Sequence, residues 1–164
     1  MKRWIGLLVW VSLLVGACST TDVRLGTPID CDTEERGRLI LFAQAVPTSS
    51  AIPCLEELPP GWLIDSIETR SGEALVVFEN DTHDVDVGAT LTESCETTEE
   101  QEPTNDPEVF VHGAVGGGMA LVFPGGCFEV DFPDVVTSEE AGALLGSIGH
   151  LSRDELRALT GWTL

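Results

Sequence analysis

"ALVVFENDTHDVDVGATLT", residues Ala74 to Thr92, decides the fold. In its second half Val85, Val87, Ala89 and Leu91 alternate with Asp84, Asp86, Gly88 and Thr90. Successive side chains of a strand point to opposite faces, so this period of two predicts a strand with one buried face. Ala74 to Glu79 predicts a second strand, apolar enough to be covered on both faces. Asn80-Asp81-Thr82 between them has turn chemistry. Two strands joined this tightly run antiparallel.

The pattern extends outward in both directions. Trp62 to Thr69 predicts a strand that joins the pair through the Ser71-Gly72 turn, giving a three-stranded meander. Downstream, Val109 to Ala114, Met119 to Phe123 and Cys127 to Phe132 are further strand candidates. The last two form a hairpin around Pro124-Gly125-Gly126. Phe128, Val130 and Phe132 face one side of it, and Glu129 and Asp131 the other. Between these groups, "ESCETTEEQEPTNDPE" (93–108) is acidic and nearly free of apolar residues, which predicts a solvated loop. "PTSSAIPCLEELPPGW", with prolines from Pro47 to Pro60, predicts another loop.

Helices flank the strands. Leu39 to Val46 is apolar on all sides, which fits a buried helix or a buried strand; helix is favoured because the run follows Asp32-Thr33-Glu34-Glu35, a helix-start signal with acids at the positive end of the dipole. Thr137 with Glu140, and Ser152 with Glu155, are capping boxes. Ala141, Leu144, Leu145 and Ile148 make an apolar stripe behind the first box, with Gly149 expected to close that helix. Leu156 and Leu159 point inward behind the second box, with Gly161 as the stop and Trp162 packing over the end. The expected class is α+β: a mainly antiparallel sheet of five to six strands, an N-terminal helix, a C-terminal helical pair and two disulfides.

The first 17 residues read differently. Lys2 and Arg3 precede an apolar run from Ile5 to Val15, too short for the roughly 20 residues that span a bilayer. Small residues Val15-Gly16-Ala17 then precede Cys18. This order resembles the lipobox signal peptide of bacterial lipoproteins; the alternative is an ordinary secretory signal with a chance cysteine. The resemblance implies cleavage before Cys18, a diacylglyceryl thioether on its sulfur, and acylation of the new amino terminus. The protein would then sit on the extracytoplasmic face of the cell membrane, with the membrane as its partner through that lipid. Each buried CH₂ contributes about 0.8 kcal/mol to such an anchor. The organisation expected is a signal peptide over 1–17, a tether over 18–30, and one domain over 31–164.

Setting Cys18 apart leaves four cysteines, Cys31, Cys54, Cys95 and Cys127. An even number in an exported chain predicts two disulfides. Three pairings are open. We expect Cys31–Cys54, which brackets one apolar segment, and Cys95–Cys127, which ties a strand end to a Gly-rich turn. No two of these cysteines lie two to four residues apart, and no histidine stands near them at zinc spacing, so a metal site is not expected.

The full chain carries 28 acids and 8 bases, a net charge of −20. Losing Lys2 and Arg3 lowers the bases to 6 and the net charge to −22, with no lysine left. Such a surface repels phosphate backbones, which argues against nucleic acid. It favours a cationic partner, such as another envelope protein, or divalent ions. Solubility or a salty habitat would also account for the charge.

"AQAVPTSSAIPCLEELPPGW", "LTESCETTEE…NDPE" and "VFPGGCFEVDF" together resemble uncharacterised membrane-anchored proteins of the actinobacterial type, over about Leu39 to Phe132. The resemblance implies that Cys54, Cys95 and Cys127 belong to a recurring exported scaffold. It implies no activity.

No candidate chemistry converges. His83-Asp84-x-Asp86 is the tightest polar cluster, but on a strand the two aspartates share a face and His83 takes the other. The acids from Glu93 to Glu108 lack the D-x-[DN]-x-[DN]-G calcium pattern. "VGGGMA" and "PGGC" match no phosphate-binding loop and have no basic residue beside them, so turn or bulge geometry accounts for the glycines. There is no G-x-S-x-G. Ser147 and His150 stand three apart near a helix end, where His150 is expected to complement the dipole. His112 alternates with Val111 and falls on the opposite face from it. The reading assigns no catalytic residue, cofactor or metal ligand. It favours a binding or structural module over the two alternatives, a small carboxylate or histidine hydrolase and a divalent-cation-responsive protein.

Overall fold

A computed structural model describes residues 23–24, 31, 36–103, 110–114 and 118–161. Cys18, Asp32 to Glu35, Asp106, Glu108, Gly116, Gly117 and Trp162 lie outside them. The class is α+β. The six expected strands are present and adjacent: β3 (Trp62–Arg70), β4 (Glu73–Asn80), β5 (Val85–Thr92), β9 (Gly126–Asp131), β8 (Met119–Phe123) and β7 (Phe110–Ala114). Two more strands extend them, β1 (Val23–Arg24) against β3 and β6 (Thr97–Pro103) against β7. All pairings are antiparallel.

Alternation decides which face is buried. Val87, Ala89 and Leu91 of β5 are buried, together with Ala74, Val76 and Phe78 of β4 and Phe128 and Val130 of β9. The expectation that β4 is covered on both faces is corrected. Leu75, Val77 and Glu79 are only half-buried, so β4 has one core face like its neighbours.

The inner face is covered by α1 (Arg36–Ala45), α2 (Ser138–Gly146), α3 (Arg153–Thr160) and a second sheet of β2 (Ala51–Leu55) and β10 (Ile148–Ser152). Phe42, Ile52, Leu144 and Leu156 join the sheet residues in one continuous core. At about 25 cal/mol per Å² of apolar surface removed from water, this burial is the main drive for the fold.

Several local expectations change. The Pro-rich stretch is not all loop: Ala51–Leu55 is a fully buried strand. Pro53 is tolerated because β2 pairs on one side only and leaves an edge where a missing N–H costs nothing. The acidic stretch contains β6, a charged edge strand of the kind that resists edge-to-edge association. The two C-terminal helices are separated by β10. Helix α2 ends at Gly146 with Ser147 as its cap, and Gly149 lies inside β10. The reason for Gly149 is room. A Cβ there would sit 3.0 Å from Cys31 Sγ and 3.6 Å from Cys54 Sγ, so glycine lets β10 lie against that disulfide.

Both disulfides form as expected, Cys31–Cys54 and Cys95–Cys127. Both capping boxes are complete, and Gly161 closes α3 at φ +66°. The turns "VPTSS" and "FPGG" meet each other. Ser50 N–H donates to Pro124 O at 2.9 Å, and Gly125, at φ +70°, approaches Thr48 O so closely that a Cβ would lie 2.1 Å from it. Arg153 completes this junction. Its guanidinium donates to Ala43 O (2.8 Å), Val46 O (2.7 Å) and Ser49 O. Helix α1 has no basic residue in its own last turn, so Arg153 supplies the cation its carbonyl end favours.

The sheet cannot be flat. Strands β9, β8 and β7 stand between β5 and β6, yet only residues 93–96 connect the two. Four spacings across a flat sheet, with the roughly four-residue offset along the strands, would separate Thr92 from Thr97 by about 23 Å. Five Cα steps reach about 18 Å at most. The β7–β6 edge therefore coils back, helped by the register shift between Thr97 and Gln101. Residues 93–96 cross the outer face of β9 and β8 as a strap. Cys95 is tied there to Cys127, within a small cluster that includes Ala120 and Val122.

Candidate functional site

The most developed polar constellation among the described residues joins the β4–β5 turn to α2. Asn80 is 1% exposed and shapes the turn. Its Oδ1 accepts from the N–H groups of Thr82 (2.9 Å) and His83 (3.2 Å), and its carbonyl accepts from Asp84 N–H at 2.9 Å. Asp84 adopts φ +53°, a conformation aspartate tolerates better than most residues. His83 is thus held in the turn, not on strand β5, and its Nε2–H donates to Glu140 Oε1 (2.9 Å) and Oε2 (3.1 Å).

Glu140 is also the third residue of the α2 capping box. Its carboxylate accepts from Thr137 N–H (2.9 Å) and Thr137 Oγ1–H (2.7 Å). These bonds from Thr137, ahead of those from His83, hold the Glu140 carboxyl below the ordinary range. A carboxylate on Nε2 fixes a histidine's tautomer and leaves Nδ1 as its acceptor, which is one ingredient of general-base chemistry. Among the described residues, the remaining ingredients are not brought together. Ser147 donates to Leu144 O at 2.7 Å, Ser152 donates to Glu155 at 2.7 Å, and Ser49 donates to Ala51 O.

The other sequence candidates scatter. His150 stands in β10 opposite Pro53, not at a helix end, because α2 stops four residues earlier. His112 is on β7, in register with Ala120 and Gln101. Asp86 remains on β5 opposite Glu79. Among the described residues, no group of three or more His, Cys, Asp or Glu is placed to hold a metal ion.

Glu129, on the outer face under the strap, is pushed up, first by burial and then by the charges of Asp131 and Glu96. It pairs with Thr90, five residues along β5 from Val85, the first strand residue after the His83 turn. That is roughly 17 Å along the strand, too far for Glu129 and Glu140 to act as the carboxylate pair of a glycosidase, which are about 5–9.5 Å apart.

The His83–Glu140 contact was missed from sequence because its partners are 57 residues apart. The capping box identified Glu140, but only for its local role. No family model matches the chain, and neither a curated protein nor a solved structure matches it.

Proposed function

We propose that this chain is a lipid-anchored protein of the bacterial cell envelope. It is held by Cys18 on the extracytoplasmic face of the membrane and acts as a binding or structural module, akin to membrane-anchored proteins of the actinobacterial type. The observation that carries this reading is Val15-Gly16-Ala17-Cys18 at the end of a short apolar run with a basic start. The two disulfides support it, because such bonds persist in oxidising compartments. The scatter of the described histidines supports a module over a hydrolase.

The surface favours a cationic partner. Arg70 is bound to Glu73 and Arg157 to Asp154, so each base cancels one neighbouring acid, and with 28 acids against 8 bases most of the acidic field stays uncompensated. The anchor is tested by expression in a lipoprotein-processing bacterium with radioactive palmitate. The wild type is expected to carry label and fractionate with membranes, and Cys18→Ser to lose both. A Cys18→Ser protein that labels and fractionates like wild type overturns the reading.

A further inference from the structure

We propose that Cys95–Cys127 is a releasable clasp: a dithiol reductant opens it without unfolding the domain, frees the strap over 93–96, and uncovers the outer face of β8 and β9. This inference does not depend on the anchor.

The two disulfides have different surroundings. Cys54 is buried in the main core, Cys31 is half-buried against it, and β10 lies against both sulfurs at Gly149. Cys95–Cys127 belongs to a separate small cluster on the other side of the sheet. Cys127 is buried, and Cys95 is half-buried like Cys31, but its neighbours Glu93, Ser94 and Glu96 are exposed. An incoming thiolate can therefore approach Cys95 from the strap side, whereas at Cys31 the backbone of β10 packs close on the sulfurs.

Among the described residues, the strap is held by the disulfide and by the Thr92 hydroxyl donating to Ser94 O at 2.9 Å. Charge works against closure, because the strap's Glu96, like Asp131, pushes the Glu129 carboxyl up. Breaking the S–S bond removes the one covalent tie and leaves that repulsion. Beneath lies Ala120, now fully buried.

The exchange balances. One donor thiolate attacks Cys95 Sγ, forms a mixed disulfide and expels Cys127 as a thiolate. The second donor thiol then attacks its own sulfur in the mixed disulfide and expels Cys95. The donor becomes a disulfide, two electrons pass to the protein, and the donor's two thiol protons end on Cys95 and Cys127.

The test treats the full chain with graded dithiothreitol under native conditions, traps thiols by alkylation and locates them by peptide mass spectrometry. Amide exchange is followed in parallel. Cys95 and Cys127 are expected to label together at least tenfold faster than Cys31 and Cys54. Amide protection should fall at least tenfold over 97–103 and 110–114 while β3, β4 and β5 keep theirs. The double variant Cys95→Ser/Cys127→Ser should fold and show the open exchange pattern without reductant. Three results overturn the proposal: Cys31–Cys54 reduced first or in step, release of Cys95–Cys127 with no change in exchange, or failure of the double variant to fold.

Discussion

Replacing Arg153 by alanine removes three donors from one junction. The carbonyls of Ala43, Val46 and Ser49 lose their shared partner, and the C-terminal end of α1 loses its counter-charge. A hydrogen bond to a charged group contributes about 1.5–3 kcal/mol where water is excluded. Arg153 is only partly buried, so water re-solvates part of what it leaves. We expect a loss of about 3 kcal/mol, well under the simple sum of three such bonds. Urea unfolding followed by tryptophan fluorescence measures it, and the midpoint temperature should fall by roughly 10–15 °C. Two further variants isolate the cause. Arg153→Lys places a point charge where a planar fork reaches both sides, and should recover no more than about half of the loss. Arg153→Met keeps apolar contact but has no donor, and should be as unstable as Arg153→Ala. A stable Arg153→Met protein would refute the reasoning, since packing rather than carbonyl satisfaction would then hold the junction.

Two other outcomes follow from the carboxylates. Glu129 has a raised folded pKa, so the native state binds the extra proton and stability falls as pH rises through the window above the ordinary carboxylate value. Glu129→Gln should therefore be more stable than wild type at pH 7, by less than about 1 kcal/mol for a group only partly buried, with the gain vanishing below about pH 4; a destabilised variant at pH 7 contradicts this. Glu140 has the opposite sign: its contribution is present above the ordinary carboxylate value and is lost as pH falls through its lowered folded value. Thr137→Ala should cost about 1 kcal/mol as a lost cap and move the Glu140 titration, read by NMR, further toward ordinary than His83→Ala does. The reverse ranking would show that His83, not Thr137, controls this carboxylate.

The legible parts of the fold were those with a local cause. Val85 to Leu91 announced a strand through alternation alone, and Thr137 and Ser152 announced helix starts through residues three positions on. The illegible parts had distant causes. Ala51–Leu55 reads as loop because Pro53 is a poor strand residue, and only its pairing with Ile148–Ser152 makes it one. Gly149 resembles a helix stop because glycine is common there, yet its role is to clear a disulfide. Thr97–Pro103 is too acidic to suggest a strand until β7 offers an edge. The site suffers most from this limit. His83 and Glu140 were each visible for a local reason, and neither pattern pointed to the other.

The Arg153 junction also has a consequence in time. The carbonyls that cap α1 wait for a side chain 107 and 110 residues later, and the buried strand β2 waits for β10. The early part of the chain cannot complete its own structure as it is made, and such long-range closure slows folding. A nascent chain that stays open until residues 148–153 arrive remains threadable for most of its synthesis, as the export proposed above would require.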